Sequence, residues 1–243
     1  MNILITLNSG YAAYAAVMLT SLIVNNDVDL NVFCLYRNLD ESSKNLLRKT
    51  VERRAANNIS FIYMDNEKCK LFKDFPTTDT LTIECYFLLM AHAFLPSNLD
   101  RILYLDSDLL VDGDIGGLYE TSFDDKYIVV AGQSHKEING HMYPLGARPK
   151  HGECFNSGVI LFNLPMMRHD ISSNVYSEMA TRENYDFSLA DQGILNLVFF
   201  DRAKYVDTMK YNFRMSIYRD YLADGNKELK MIPLIIHFAM MLE

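Results

Sequence analysis

The sequence predicts an α/β fold with a mainly parallel central sheet flanked by helices, and three observations predict it. Short apolar runs alternate with helix-forming segments from Asn2 to Met64, the pattern of strands joined by covering helices. No composition break, linker or internal repeat divides the chain. A further apolar run, Arg101 to Leu105, leads straight into two carboxylates, and in open α/β sheets the strand ends are where ligands bind.

Asn2 to Leu7 is short and apolar, fit for a buried strand, and Asn8-Ser9-Gly10 is a polar turn. Tyr11 to Asn26, rich in Ala, Leu and Met, reads as a helix that stops at an Asn-Asn-Asp breaker. Leu30 to Tyr36 is a second strand. Asp40 to Ala56 is a second helix, opened by Asp40-Glu41-Ser42-Ser43, side chains that favour a helix N-terminus. Ile59 to Met64 is a third strand, followed by a polar, irregular stretch from Asp65 to Thr80. Ile83 to Leu95 reads as a helix ended by Pro96, and Arg101 to Leu105 as a strand. Tyr127 to Ala131 is a strand, and Gly132 to Glu153 is a loop long enough to suggest a functional role. Phe155 to Leu164 is a buried strand, Pro165 starts a helix at its favoured first position, and Ser188 to Phe200 is another helix. Tyr211 to Phe213 and Leu234 to Phe238 read as short strands.

The 243 residues carry 31 acidic against 23 basic side chains, a formal charge of −8. That argues against a nucleic-acid partner, which calls for a basic face. At 49% hydrophobic and 22% charged the composition is that of a globular protein. Cys34, Cys69, Cys85 and Cys154 form no C-x-x-C pair, which fits reduced thiols in a cytosolic protein. The most apolar stretch, Leu4 to Val24, is interrupted by Asn8, Ser9 and Gly10 and lacks a basic lead-in, so neither a signal peptide nor a membrane span is expected there.

The strongest chemical signal is Asp106-Ser107-Asp108. Carboxylates two residues apart at a strand end point the same way and can converge on one hard cation. A solvated turn after a core strand is the other reading, and the apolar strand that aims both groups at the sheet edge favours the cation. Phe155-Asn156-Ser157-Gly158 offers donors and acceptors for a hydroxyl-rich ligand, with Gly158 allowing close approach, or equally a strand entry with a bulge at Gly158. Asp191-Gln192 could bind such a ligand or merely satisfy free amides in a helix's first turn. His237, isolated after Ile235-Ile236, reads by itself as a satisfied core residue. The other histidines fall at no zinc-ligand spacing, and P-loop, dinucleotide-fingerprint and nucleophile-elbow motifs are absent.

Taken together, these residues resemble the family 8 glycosyltransferases, retaining enzymes of the GT-A type that use UDP-sugars and a divalent metal. The resemblance follows the order of the motifs over nearly the whole chain. The family's opening strand and uridine-binding helix correspond to Leu4 to Ser21, and its helix-Pro-strand lead-in to Leu88 to Leu105. Its D-x-D corresponds to Asp106-Ser107-Asp108, its F-N-S/A-G to Phe155 to Gly158, its D-Q to Asp191-Gln192 and its closing I-I-H-F to Ile235 to Phe238. The resemblance implies a GT-A type, Rossmann-like fold and transfer of a hexose from a UDP-sugar to a saccharide, lipid-linked or protein-linked acceptor. It implies that Asp106, Asp108 and His237 hold Mn²⁺ or Mg²⁺, a ligand set that suits Mn²⁺ somewhat better. It places Asn8 and Tyr11 at the uracil, Asp106, Ser107, Asn156 and Ser157 along the nucleotide sugar, and Asp191 and Gln192 as the catalytic pair beside the anomeric centre.

The resemblance also implies one domain over 1–243, with a nucleotide-binding half (1–108) ending in D-x-D and an acceptor and donor-sugar half (109–243). Three positions depart from the pattern. Asn8 replaces a frequent Asp, and Phe87 stands where relatives usually carry an Arg that reaches the nucleotide sugar. The chain reads Ala239-Met240-Met241-Leu242-Glu243 where the family continues with Gly and Lys-Pro-Trp, so a closing segment is expected to be missing. An impaired GT-A domain that binds nucleotide-sugar or scaffolds a partner is therefore the alternative. A haloacid-dehalogenase-like phosphatase, whose site also opens with Asp-x-Asp after a strand, ranks below it. The expected location is the cytosol or the inner face of the membrane, and the Gly132 to Glu153 loop is expected to shape acceptor choice.

Overall fold

The computed structural model describes residues 1–78, 81–132, 155–181, 189–199, 201–214, 218–219, 222–223, 225 and 231–239. Strands β1 (Asn2–Thr6), β2 (Asn31–Tyr36) and β3 (Asn58–Tyr63) pair in parallel, joined by α1 (Ala12–Asn25) and α2 (Glu41–Val51). Asp40 caps α2 by accepting the Ser43 N–H at 2.7 Å. The helix ends five residues before Ala56, the predicted limit. Beyond it Arg54 donates to the Asn26 and Val28 carbonyls and the Asn57 side chain accepts the Leu30 N–H, contacts that hold the chain in a turn against β2.

The stretch predicted as irregular contains α3 (Asn66–Cys69), capped by Asp65. The helix predicted from Ile83 to Leu95 is a 3₁₀ run over Ile83–Met90 followed by α4 (Ala91–Phe94). Its residues from Tyr86 to Ala91 are all buried, so no apolar stripe opposes a polar face there and the sequence carries little helical periodicity. Then come β4 (Arg101–Leu105), β5 (Leu109–Val111), α5 (Gly116–Tyr119), β6 (Ile128–Gly132) and β7 (Phe155–Asn163). The remaining elements are α6 (Leu164–Asp170), α7 (Asn174–Ala180), α8 (Ala190–Phe199), β8 (Ala203–Val206), α9 (Thr208–Tyr211), β9 (Phe213–Arg214) and β10 (Ile235–His237). Pro165 sits in the first turn of α6, as predicted. Tyr211 ends a helix instead of opening a strand, because Asp207 caps that turn by accepting the Met209 N–H. Residues 133–153 of the predicted loop, Ser188, Phe200 and 240–243 lie outside the described residues.

The main sheet has seven strands in the order β3-β2-β1-β4-β7-β6-β8. It is mainly parallel, the exceptions being the β4–β7 and β6–β7 pairs. Alternation along each strand splits the interior into two cores. Leu4, Phe33, Ile102, Tyr104 and Ile160 face one, while Ile3, Ile5, Val32, Leu103 and Leu161 face the other with α1 and α2. The irregularity expected around Gly158 is present: Val130 pairs with Ile160 but Gly132 with Phe155, so the extra residues fall on β7 in the stretch that holds Gly158. A second, three-stranded sheet, β5-β10-β9, closes over the end of β4. Among the described residues no helix is long and apolar enough to cross a membrane.

Candidate functional site

In the main sheet β1 and β4 are parallel neighbours, and from them the strand order runs outward in opposite directions, to β2 and β3 on one side and β7 on the other. A crevice therefore opens beyond their carboxyl ends, the usual ligand position in such sheets. A cleft of about 220 Å³ lies there, walled by the exits of β1 and β4, by Thr82, Glu84 and Cys85, and by Ser157 and Asp191.

Two pairings bring distant residues to the end of β4. Antiparallel β7 sets Val159 opposite Leu105, and the Asp106 N–H donates to the Gly158 carbonyl at 2.9 Å. In the second sheet β10 sets His237 opposite Leu109, and the Phe238 N–H donates to the Asp108 carbonyl at 3.0 Å. His237 Nε2 consequently lies 3.2 Å from Asp108 Oδ1 and 3.5 Å from Asp106 Oδ2. One ligand atom from each of the three falls within 4.8 Å of the others, a spacing that one divalent ion can span. Gly158 makes room for this group: any Cβ there would overlap the His237 ring and lie 2.7 Å from Asp106 Oδ2. The residues present thus fit a hard cation.

Each carboxylate is tuned by its surroundings. Burial pushes Asp106 above the usual carboxylate range, with His237 opposing. Burial also acts on Asp108, but the hydrogen bond and charge of His237 prevail and hold it below that range. Asp191, 9% exposed, is pushed up to about 7 by burial and then by the charge of Asp106, while Ser157 hydrogen-bonds it in the opposing sense. Tyr104 donates to Asp106 Oδ1 at 2.6 Å, and burial raises its phenol well above the ordinary value.

Among the residues singled out in the sequence, Asn8, Tyr11, Asp106, Ser107, Asp108, Ser157 and Asp191 line the cleft. Asn8 is pinned at both ends, accepting the Gly10 N–H and donating to Thr82 Oγ1, while Tyr11 stands 40% exposed at the mouth. Asn156 and Gln192 are not among the residues that line the cleft and are bonded to each other, Asn156 Nδ2 to Gln192 Oε1 at 2.8 Å. Phe87 does not line the cleft; it is fully buried, its ring 5.5 Å from that of Phe72. Four residues escaped the sequence reading. Tyr104 had a signal, standing two residues before Asp106 on the same strand face. Asn196, four residues after Gln192, had one too. Asn212 and Glu84 had none, since only tertiary packing brings them to the site.

The model of the glycosyl transferase family 8 matches residues 2–241. The chain belongs to glycosyltransferase family 8. It is 31% identical over 182 residues to glycosyltransferase GlyF of Streptococcus pneumoniae, covering 74% of this chain and 42% of that protein. It is 24% identical over 220 residues to the lipopolysaccharide 1,3-galactosyltransferase of Salmonella typhimurium, covering 89% and 64%. The chain thus spans less than two-thirds of either relative. Among solved structures, the galactosyltransferase LgtC in complex with donor and acceptor sugar analogs superposes with a TM-score of 0.81 at 22% identity, covering 99% of this chain and 87% of that one. That likeness shows the GT-A fold expected of family 8, and family membership displaces the phosphatase alternative.

Proposed function

We propose that this family 8 chain is a metal-dependent, retaining glycosyltransferase that moves a hexose from a UDP-sugar to a saccharide, lipid-linked or protein-linked acceptor. One observation carries the reading. The cleft wall bears four carboxylates, Glu84, Asp106, Asp108 and Asp191, and among its described lining residues no Lys or Arg. A diphosphate would be repelled from such a wall, yet three groups there are spaced for a cation. A divalent ion, Mn²⁺ or Mg²⁺, held by Asp106, Asp108 and His237 supplies the Lewis acidity that neutralises a diphosphate leaving group.

The chain's own groups do the rest. Tyr11 offers an exposed ring to stack on uracil and the Asn8 loop a polar edge for it. Ser107 and Ser157 offer hydroxyls along the donor. Asp191 and Asn156 hold sugar hydroxyls, and Gln192 stands at the anomeric centre. In this reading 1–108 form the nucleotide-binding half and 109–243 the donor-sugar and acceptor half of one domain. The lipopolysaccharide transferases among the relatives support a glycan acceptor, and a cytosolic site or one at the inner membrane face suits such a donor and acceptor.

Isothermal titration of UDP in the presence of Mn²⁺ tests the reading. Binding that vanishes in Asp108→Ala is expected; no binding, or binding indifferent to Asp108, overturns the nucleotide-sugar claim. A second reading, a family 8 domain that binds its donor without turning it over, is favoured by Phe87, fully buried where the family resemblance leads one to expect an Arg. UDP binding with neither donor hydrolysis nor transfer to any acceptor would select it.

A further inference from the structure

A single backbone amide dictates the direction of a run of side-chain hydrogen bonds that begins part-buried and ends buried. The Gly158 N–H lies 3.0 Å from one atom of the Asn156 side-chain amide. A peptide N–H can only donate, so that atom is the oxygen. The Asn156 nitrogen must then be the atom facing Gln192 Oε1 at 2.8 Å. The same Asn156 oxygen lies 2.9 Å from Asn212, so Asn212 presents its nitrogen there and turns its own oxygen toward His237 Nδ1, 2.8 Å away. A carbonyl oxygen only accepts, which puts a proton on Nδ1. In the neutral ring the Nε2 lone pair then faces Asp106 and Asp108, whereas in the cationic ring Nε2 donates a second proton to Asp108, and a divalent ion would take that proton's place. Amide and imidazole orientations are normally free choices of the hydrogen-bond network; here the main chain removes the choice. Asn212 is fully buried and His237 is 2% exposed, so water has no ready access to substitute for either partner.

We propose that Asn212 is a positioning residue: it fixes His237 as the tautomer whose Nε2 can take a cation, and through Asn156 it ties that setting to the orientation of Gln192. The first half concerns the protein alone, and the second rests on the donor-binding reading given above. A carboxylate or carbonyl behind a ligating imidazole commonly sets its orientation and basicity. Here the same side chain would also report to the group beside the sugar.

The decisive measurement is a long-range ¹H–¹⁵N correlation on ¹⁵N-histidine-labelled protein without metal, at alkaline pH where imidazole is neutral, with His237→Gln to assign the signal. The Nδ1–H pattern is expected, and an Nε2–H pattern overturns the proposal. Titration with Mn²⁺ alone supplies the second readout. Asn212→Leu, checked for native folding, should weaken Mn²⁺ binding about 10–100-fold. Asn212→Asp keeps an acceptor for Nδ1–H but loses the donor to Asn156, so Mn²⁺ affinity should stay within about threefold while the KM for the donor rises. Wild-type Mn²⁺ affinity in a folded Asn212→Leu protein, or equal losses in both variants, would sink the assignment. If the unaltered chain binds no Mn²⁺, the cation reading fails, and the tautomer pattern alone decides the role of Asn212.

Discussion

Gly158 and His237 stand so close that only a hydrogen atom fits on the glycine: a Cβ would overlap the imidazole and reach 2.7 Å from Asp106 Oδ2. The requirement here is space, since the Gly158 backbone has no positive φ. Gly158→Ala should therefore push His237 and Asp106 apart, with a stability cost on the order of 1–3 kcal/mol. Mn²⁺ affinity, measured by titration, should fall by roughly tenfold or more. Unchanged affinity would mean that β10 yields without disturbing the ligands.

Asn196 accepts the Phe155 N–H at 3.0 Å and donates to the Phe155 and Gln192 carbonyls at 2.8 Å each. It thereby stitches the first turn of α8 to the start of β7 and keeps Asp191 and Gln192 level with Asn156 and Ser157. Asn196→Leu strands the buried Phe155 groups, for a loss of about 3 kcal/mol in urea unfolding. A loss below about 1 kcal/mol would show that the two elements hold each other by apolar packing alone.

His92 is 5% exposed and its ring stands 6.4 Å from that of Tyr176. Burial, helped by Arg168, lowers its pKa from 6.5 to about 4. Between those values the unfolded chain takes up a proton that the folded chain refuses. Stability is thus full above pH 6.5 and declines as pH falls toward 4, by up to about 3 kcal/mol from this group. Urea midpoints of the wild type and His92→Gln should draw together between about pH 7 and about pH 4.5. Parallel curves would refute the buried neutral state.

Phe87 invites substitution by Arg, the residue that the family resemblance leads one to expect there. Because its ring is fully buried against Phe72, Phe87→Arg should bury a charge and cost on the order of 3–5 kcal/mol. Thermal melting and donor turnover are the checks. A variant that melts like wild type and turns over donor faster would mean that this wall is remodelled to let the side chain reach the cleft.

What was legible in the sequence follows from how far each signal depends on neighbours along the chain. Strands β1, β2, β4 and β7 announce themselves because burial on both faces makes them continuous apolar runs, while β3, a half-exposed edge strand, is read from its Ile, Phe and Tyr residues. Asp106 and Asp108 announce themselves because one such run aims them. Strands β5 and β8, of three and four residues, are too short for any period to emerge, and their existence is decided by the partners they find. For His237, the neighbouring residues alone favour a core role, and only family order pointed to the carboxylates. The register of β10 on β5 is what brings it there. Asn212 marks the limit of legibility, an unremarkable Asn between two aromatic residues whose role exists only where β7, β9 and β10 converge.

The sheet that delivers His237 is slight: β9 has two residues, β5 and β10 three each. Elements with so few paired groups open at a small fraction of the free energy that unfolds a domain. The imidazole can therefore leave the carboxylates by a local excursion while the seven-stranded sheet stays whole. Integrity of the site and integrity of the fold become separate quantities. The Phe238 amide, bonded to the Asp108 carbonyl, is a natural hydrogen-exchange reporter of the first, and the amides of β1 and β4 report the second.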